Sequence, residues 1–143
     1  MNIHQITVFL ENRSGQLAEI TSLLAKENVD IRAISIAETS DYGLVRMIVD
    51  DSQKASGILL QHGDILSMTP VWAVEVPDRP AGLAELLQVL ADICVDVEYM
   101  YSLFSQKNGY AYMVMRVSDD QKFLGALDAN KIKLMSMDEL DLK

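Results

Sequence analysis

Residues 12–20 read NRSGQLAEI, and residues 78–86 read DRPAGLAEL. Each phrase follows an apolar run, each opens a leucine-rich amphipathic stretch, and they lie about 66 positions apart, so the chain is a tandem repeat. The same offset brings Val8 onto Val74, Leu24-Ala25 onto Leu90-Ala91, Val29-Asp30 onto Val95-Asp96, Gly43 onto Gly109 and Met47 onto Met113. An offset slightly longer, for an insertion in the second copy, brings Gln53-Lys54 onto Gln121-Lys122 and Gly57 onto Gly125. Matches that include Arg, Asp and Gly in order are not what shared Leu and Val content produces.

Each copy reads alike. ITVFL (6–10) and VWAVEV (71–76) are β-rich runs. Leu17, Ile20, Leu23 and Leu24, and then Leu83, Leu86, Leu87, Leu90 and Ile93, recur at helical spacing on one face. VDIRAISIAE and VDVEYMYSLF follow as strands, Tyr42-Gly43 and Asn108-Gly109 as hairpin turns, and LVRMIV and YAYMVMRV as return strands. Asp50-Asp51-Ser52 and Ser118-Asp119-Asp120 offer N-caps for a second helix, and LSM (66–68) and IKLMSM (132–137) are expected to close each copy as strands. The order βαββαβ, written twice, is the ferredoxin-like unit. The fold class is therefore α+β, with domains at residues 1–69 and 70–143 and a short linker at Thr69-Pro70. In VEYMYSLF the apolar residues ignore in–out alternation, and a bare edge of that kind invites aggregation. The expectation is that VDIRAISIAE covers it, setting the two units side by side in a continuous eight-stranded antiparallel sheet with helices on one face.

The composition narrows the function. Of 143 residues half are apolar, enough for a core, and the net charge of −9 opposes nucleic acid and anionic membranes. A single cysteine, Cys94, allows no internal disulfide, and neither a leader nor a membrane-length apolar run is visible; a soluble cytoplasmic protein is expected.

The repeated phrase stands where a strand ends and a helix begins. A helix N-terminus presents unpaired N–H groups and the positive end of its dipole, which favours an anion. Gly15 and Gly82 allow close approach, Pro80 suits a first helical turn, and Asn12 and Asp78 offer oxygens to an ammonium. That set suits a small zwitterion. Asn12, Ser14 and Asp78 serve equally as plain helix caps.

ENRSGQLAEITSLLAKENVDIRAIS, and similarly VPDRPAGLAELLQVLADICVDVEYM, resembles the ACT domain, a regulatory amino-acid-binding module; two such units span nearly the whole chain. The resemblance implies ligand contacts at Asn12, Arg13, Ser14, Gly15, Gln16 and Leu17, and at Asp78, Arg79, Pro80, Ala81, Gly82 and Leu83. It implies walls near Ile34–Ile36 and Met100–Ser102. The second phrase departs from the pattern by an apparent insertion, Ala81 between Pro80 and Gly82, and the first loop is the stronger candidate. The implied function is a sensor or regulatory subunit that binds an amino acid, acts on a separate enzyme and forms a homodimer. A ligand-free protein–protein interaction module is the alternative.

No catalytic residues, cofactor or metal site are expected. Cys94 reads as a buried structural thiol and the Asp pairs as helix caps. Gly109-Tyr110-Ala111-Tyr112 echoes the aromatic strand of RNA-recognition motifs, but Asn108 and Met115 stand where that motif needs a basic and an aromatic residue.

Overall fold

The structure is a computed structural model that describes residues 2–11, 13–38 and 41–143. The chain divides into two compact units, one of residues 4–70 with 141–143 and one of residues 1–3 with 71–140.

The unit of residues 4–70 holds β1 (Ile3–Glu11), α1 (Gln16–Lys26), β2 (Ile31–Glu38), β3 (Tyr42–Val49), α2 (Ser52–His62) and the first part of β4 (Leu66–Pro77). β3 pairs antiparallel with β1, with Val8 opposite Val45, and with β2, with Ile34 opposite Met47. This register puts Ile6, Val8, Val45 and Met47 on the helix-facing side, where they pack with Ile20 and Leu24 of α1 and Leu59 of α2. All seven are fully buried. Each such side chain contributes about 1.5–3 kcal/mol by leaving water.

The other unit repeats the plan with the rest of β4, α3 (Gly82–Asp92), β5 (Val97–Lys107), β6 (Tyr110–Val117) and α4 (Asp120–Ala129). β6 pairs with β4 and with β5, and Val74, Met115, Leu86, Leu90, Phe123 and Leu127 form the core. Trp72 packs against Phe123 and donates its indole N–H to Asp120 Oδ1 at 2.8 Å.

Strand count and pairing differ from the sequence expectation. The described strands are six, in the order β2-β3-β1-β4-β6-β5, not eight. The segments read as LSM and VWAVEV are one uninterrupted strand, β4, because Thr69-Pro70 continues extended instead of forming a linker. The closing IKLMSM is reduced to a bridge between Leu134 and Val74. Just beyond it, Ser136 N–H and Oγ donate to Glu139 Oε1 and Glu139 N–H donates to Ser136 Oγ. That reciprocal Ser-x-x-Glu box starts a helical turn and ends the strand. Within each unit the second strand pairs with the third, β2 with β3 and β5 with β6.

The insertion in the second copy lies earlier than expected. Gly43 faces Leu10 while Ala111 faces Val76, and Met47 and Met115 hold matching positions opposite Ile34 and Met100. Gly43 and Met47 thus correspond to Ala111 and Met115, not to Gly109 and Met113. The extra residues form a bulge on β5 between Ser102 and Gln106. A second irregularity lies between Val97 and Tyr99, next to which Tyr99 and Met100 are both half-buried; from Tyr101 to Phe104 burial alternates, with Tyr101 and Leu103 buried and Phe104 exposed. Tyr42-Gly43 is also not a turn, since both residues are paired in β3. Asn108-Gly109 is one, with φ of 51° and 80°. Cys94 is exposed, not buried; at φ 57° it takes the left-handed position just past α3 that Asn28 takes past α1.

Candidate functional site

The four helices open in two different ways. At α2 and α4 the N-caps Asp51 and Asp119 accept hydrogen bonds from the N–H groups of Lys54 (3.2 Å) and Lys122 (3.0 Å). At α1 and α3 the N-caps are Gly15 and Ala81, whose side chains carry no oxygen to do this, and both are left-handed, with φ of 86° and 72°. The repeated phrases therefore end in bare N-caps, while the Asp pairs become caps and clamps. Asp50 Oδ1 accepts from Asp30 N–H, and Ser118 Oγ accepts from Asp96 N–H, at equivalent places in the two copies.

Around the first phrase, Arg13 donates to Glu19 Oε2 at 3.2 Å and its Nε lies 3.7 Å from Glu11. Glu19 Oε1 meets His62 Nε2 at 2.9 Å, and His62 Nδ1 meets Asp64 at 2.8 Å. Carboxylates only accept, so a carboxylate at each ring nitrogen favours the doubly protonated imidazole. The hydrogen bond to Asp64 is the main reason the His62 pKa is raised; burial opposes it, and the charge of Asp64 and the contact with Glu19 add to the rise. The hydrogen bonds from Arg13 and then His62 hold Glu19 below the usual carboxylate range. Gln16 is buried, its Oε1 accepting from Glu11 N–H at 2.7 Å, and Leu17 packs against the core. A cavity of about 370 Å³ is lined by Leu10, Glu11, Arg13, Ser14 and Gly43, with Ile36 and Glu38 of β2. A Cβ at Gly15 would meet nothing within 4 Å. Asn12 lies outside the described residues.

The second phrase follows the same path, without an insertion. Ala81 takes the place of Gly15, and Gly82 that of Gln16. Arg79 N–H donates to Pro77 O as Arg13 N–H donates to Glu11 O, and Glu85 N–H bonds Ala81 O as Glu19 N–H bonds Gly15 O. Pro77 has no N–H for a glutamine to satisfy, and Gly82 has no side chain to offer one. The carbonyl of Pro77 fills that space instead, 2.1 Å from where a Gly82 Cβ would stand. Close approach at Gly82 thus serves the chain's own backbone. Arg79 forms a forked pair with Glu85 at 3.2 and 2.9 Å and also donates to Pro80 O. Asp78 is exposed and its backbone N–H donates to Gly109 O; Pro80 and Leu83 are exposed. Of the expected walls, Ile36 lines the first cavity, Ile34 and Met100 pack on the cores, Tyr101 is buried and Ser102 is exposed.

The pairing of Arg13 with Glu19 and Arg79 with Glu85, six residues on in each phrase, was visible in the sequence spacing but carried no recognised role. The contacts of His62 were not visible, because they join residues distant in sequence.

The sequence model described as an ACT domain pair matches residues 1–142. Among solved structures, protein BT0572 from Bacteroides thetaiotaomicron is 38% identical, with 99% of this chain and 96% of that chain covered and a TM-score of 0.90. The ligand-free regulatory subunit of aspartate kinase from Thermus thermophilus is 16% identical, with 88% and 90% covered and a TM-score of 0.64. The corresponding subunit from Thermus flavus is also 16% identical, with 90% and 92% covered and a TM-score of 0.61. At that identity the likeness shows the fold alone. No curated protein matches the chain. Two units built to one plan, each with the same loop entering its first helix, and a sequence match along residues 1–142 show that this protein belongs to the ACT domain pair family.

Proposed function

We propose that this chain is a regulatory protein of two ACT domains, residues 1–69 and 70–143, that binds an amino acid at the first loop and acts on a separate enzyme. The observation that carries this reading is the bare opening of α1 beside a cavity of about 370 Å³. An N-cap without a side-chain oxygen leaves helix N–H groups and the positive dipole end available to a carboxylate. Glu11 and Glu38 in the lining suit the ammonium, and Ile36 offers an apolar surface to the side chain. The proposed contacts are Asn12 to Leu17, with Asp78 to Leu83 as their counterparts in the second copy.

The reading extends to the cytoplasm, on the single cysteine, and to a homodimer, on the end strands β2 and β5, which expose Ile36 and Phe104. Regulation follows from linkage: a ligand that favours one arrangement of the protein shifts the population toward it by its difference in affinity.

Thermal denaturation with each of the twenty amino acids at millimolar concentration tests the proposal. One or a few are expected to raise Tm; saturation at a hundred times Kd contributes about 2.7 kcal/mol. Asn12→Ala and Ser14→Trp should each remove the shift without lowering the Tm of the free protein. No stabilisation by any amino acid would leave a ligand-free interaction module as the better description.

A further inference from the structure

The first unit's sheet carries an apolar row on the face turned away from α1 and α2. Ala37 of β2 stands opposite Leu44 of β3, and Leu44 stands opposite Phe9 of β1. Phe9 N–H donates to the carbonyl of Ile65, one residue before β4. Directly opposed residues share a face, so these four side chains form one line across four strands. Their strand neighbours Val8, Leu10, Val45 and Leu66 point the other way, into the helix-side core. The row is open to water: Ile65 is 70% exposed and Phe9 43%. Tyr42, also exposed, extends it by packing its ring against Phe9, with centroids 5.8 Å apart.

The second copy does not repeat this row. The bond from Glu75 N–H to Lys133 O matches the one from Phe9 to Ile65, and Tyr112, next after Ala111, holds the place of Leu44. Tyr112 is buried, Glu75 and Lys133 are charged, and Lys133 is held at 2.6 Å by Glu139 of the turn that follows. No such turn follows in the first copy, because the chain runs on through β4. Phe and Ile at these exposed positions leave a contiguous apolar surface in water, which is unfavourable unless a partner covers it.

Charge and size select the partner. At the end of the sheet where the row lies, Glu11 closes β1, Glu38 closes β2 and Asp41 precedes β3, all three exposed. The base beside them, Arg13, is turned to Glu19 and Glu11. Arg46, on the neighbouring row opposite Thr7 and Ser35, is half-buried. A second copy of the chain would bring the same carboxylates against these, which is repulsive. The row also presents on the order of a few hundred Å² of apolar surface, short of the roughly 800 Å² per partner that a standard interface buries. Four strands at ordinary spacing span roughly 14 Å, a length covered by two to three helical turns of about 5.4 Å each.

We infer that this row is the docking surface for a basic amphipathic helix of a partner protein. The helix seats apolar residues at i, i+3 or i+4, and i+7 on Ile65, Phe9, Leu44 and Ala37. Its Lys and Arg residues face Glu11, Glu38 and Asp41. Anchors at that spacing are how an amphipathic helix is recognised by an apolar surface. The row lies on the reverse of the strands that line the first-loop cavity with Leu10 and Gly43, and docking there does not depend on a ligand in that cavity.

The test is a methyl-labelled NMR titration of the full chain with a capped peptide of Leu and Lys, about fourteen residues long, its leucines at helical spacing. One control peptide has Glu in place of Lys. The other keeps the composition but alternates Leu and Lys, which leaves no apolar helical face. The helical Leu–Lys peptide should move the methyls of Leu44 and Ile65 saturably, and the controls should not. Ile65→Thr and Phe9→Thr, with folds checked by circular dichroism, should each weaken binding about tenfold or more, and so should Glu11→Gln combined with Asp41→Asn. Methyls of Leu44 and Ile65 that stay still at millimolar peptide would overturn the inference. Equal binding of either control peptide, or undiminished affinity in both folded Thr variants, would overturn it as well. A dimer of the chain that is lost in Ile65→Thr, read by sedimentation, would assign the row to a second copy and refute the basic helix. Stabilisation by amino acids at the first loop is a separate readout, and neither its presence nor its absence changes these outcomes.

Discussion

Gly15 and Ala81 occupy the same left-handed step into a helix, and only one of them is glycine. A Cβ at positive φ costs about 1–2 kcal/mol, so Ala81 holds strain that Gly15 avoids. Ala81→Gly should therefore stabilise the protein, and Gly15→Val should destabilise it by a similar amount, both read by urea unfolding. Gly82 is constrained differently. Its φ is ordinary, but a methyl group would strike the Pro77 carbonyl, and Gly82→Ala should cost about 1–3 kcal/mol as overpacking does. A neutral Gly82→Ala would contradict the close approach. At this scale the sequence signalled that glycine mattered in both loops, with close approach as the expected reason; at Gly82 the group that approaches is the Pro77 carbonyl. Which neighbour presses on a missing Cβ depends on a strand carbonyl whose direction no local pattern records.

At the scale of elements, the helices divide into those capped by their own Asp and those that are not. Asp51→Ala and Asp119→Ala should each lower stability by about 1 kcal/mol. Both caps were legible, because an acidic residue before an apolar periodic run is a local signal. The Asp64–His62–Glu19–Arg13 chain was not, and it gives the first unit a dependence on pH. The His62 pKa is raised in the folded state, so its contribution is complete below the ordinary histidine value of about 6.5 and fades as pH rises through the folded value. Glu19 is shifted down, so its contribution is present above the usual carboxylate pKa and is lost as pH falls through the folded value. His62→Gln should flatten the decline in stability as pH rises above the ordinary histidine value, measured as Tm against pH; an unchanged slope would remove His62 from the account. The strand expectations failed for a related reason. The β5 bulge and the Ser136–Glu139 box are single-residue events that alter pairing without altering the apolar content that marks a strand.

At the scale of the whole molecule, the repeat carried most of the information. Two copies of one phrase in βαββαβ order led to the fold and the family, because periodicity and turn chemistry are local and the second copy checks the first. The pairing of strands across the molecule was not legible: an apolar edge shows that cover is needed, not what supplies it. Divergence between the copies is where the repeat becomes informative about binding. A bare helix opening beside a cavity lined by β2 marks the first copy, and so does an exposed apolar row where the second copy carries charge.

The account stands on the first of these, the opening of α1. An amide NMR titration of the labelled chain with the pooled amino acids at millimolar concentration measures it directly. The N–H signals of Ser14, Gly15, Gln16 and Leu17 should shift in a saturable way with at least one of them. If those four signals hold still while the pool is raised to saturation, the α1 opening is not a ligand cradle and the regulatory reading built on it is wrong.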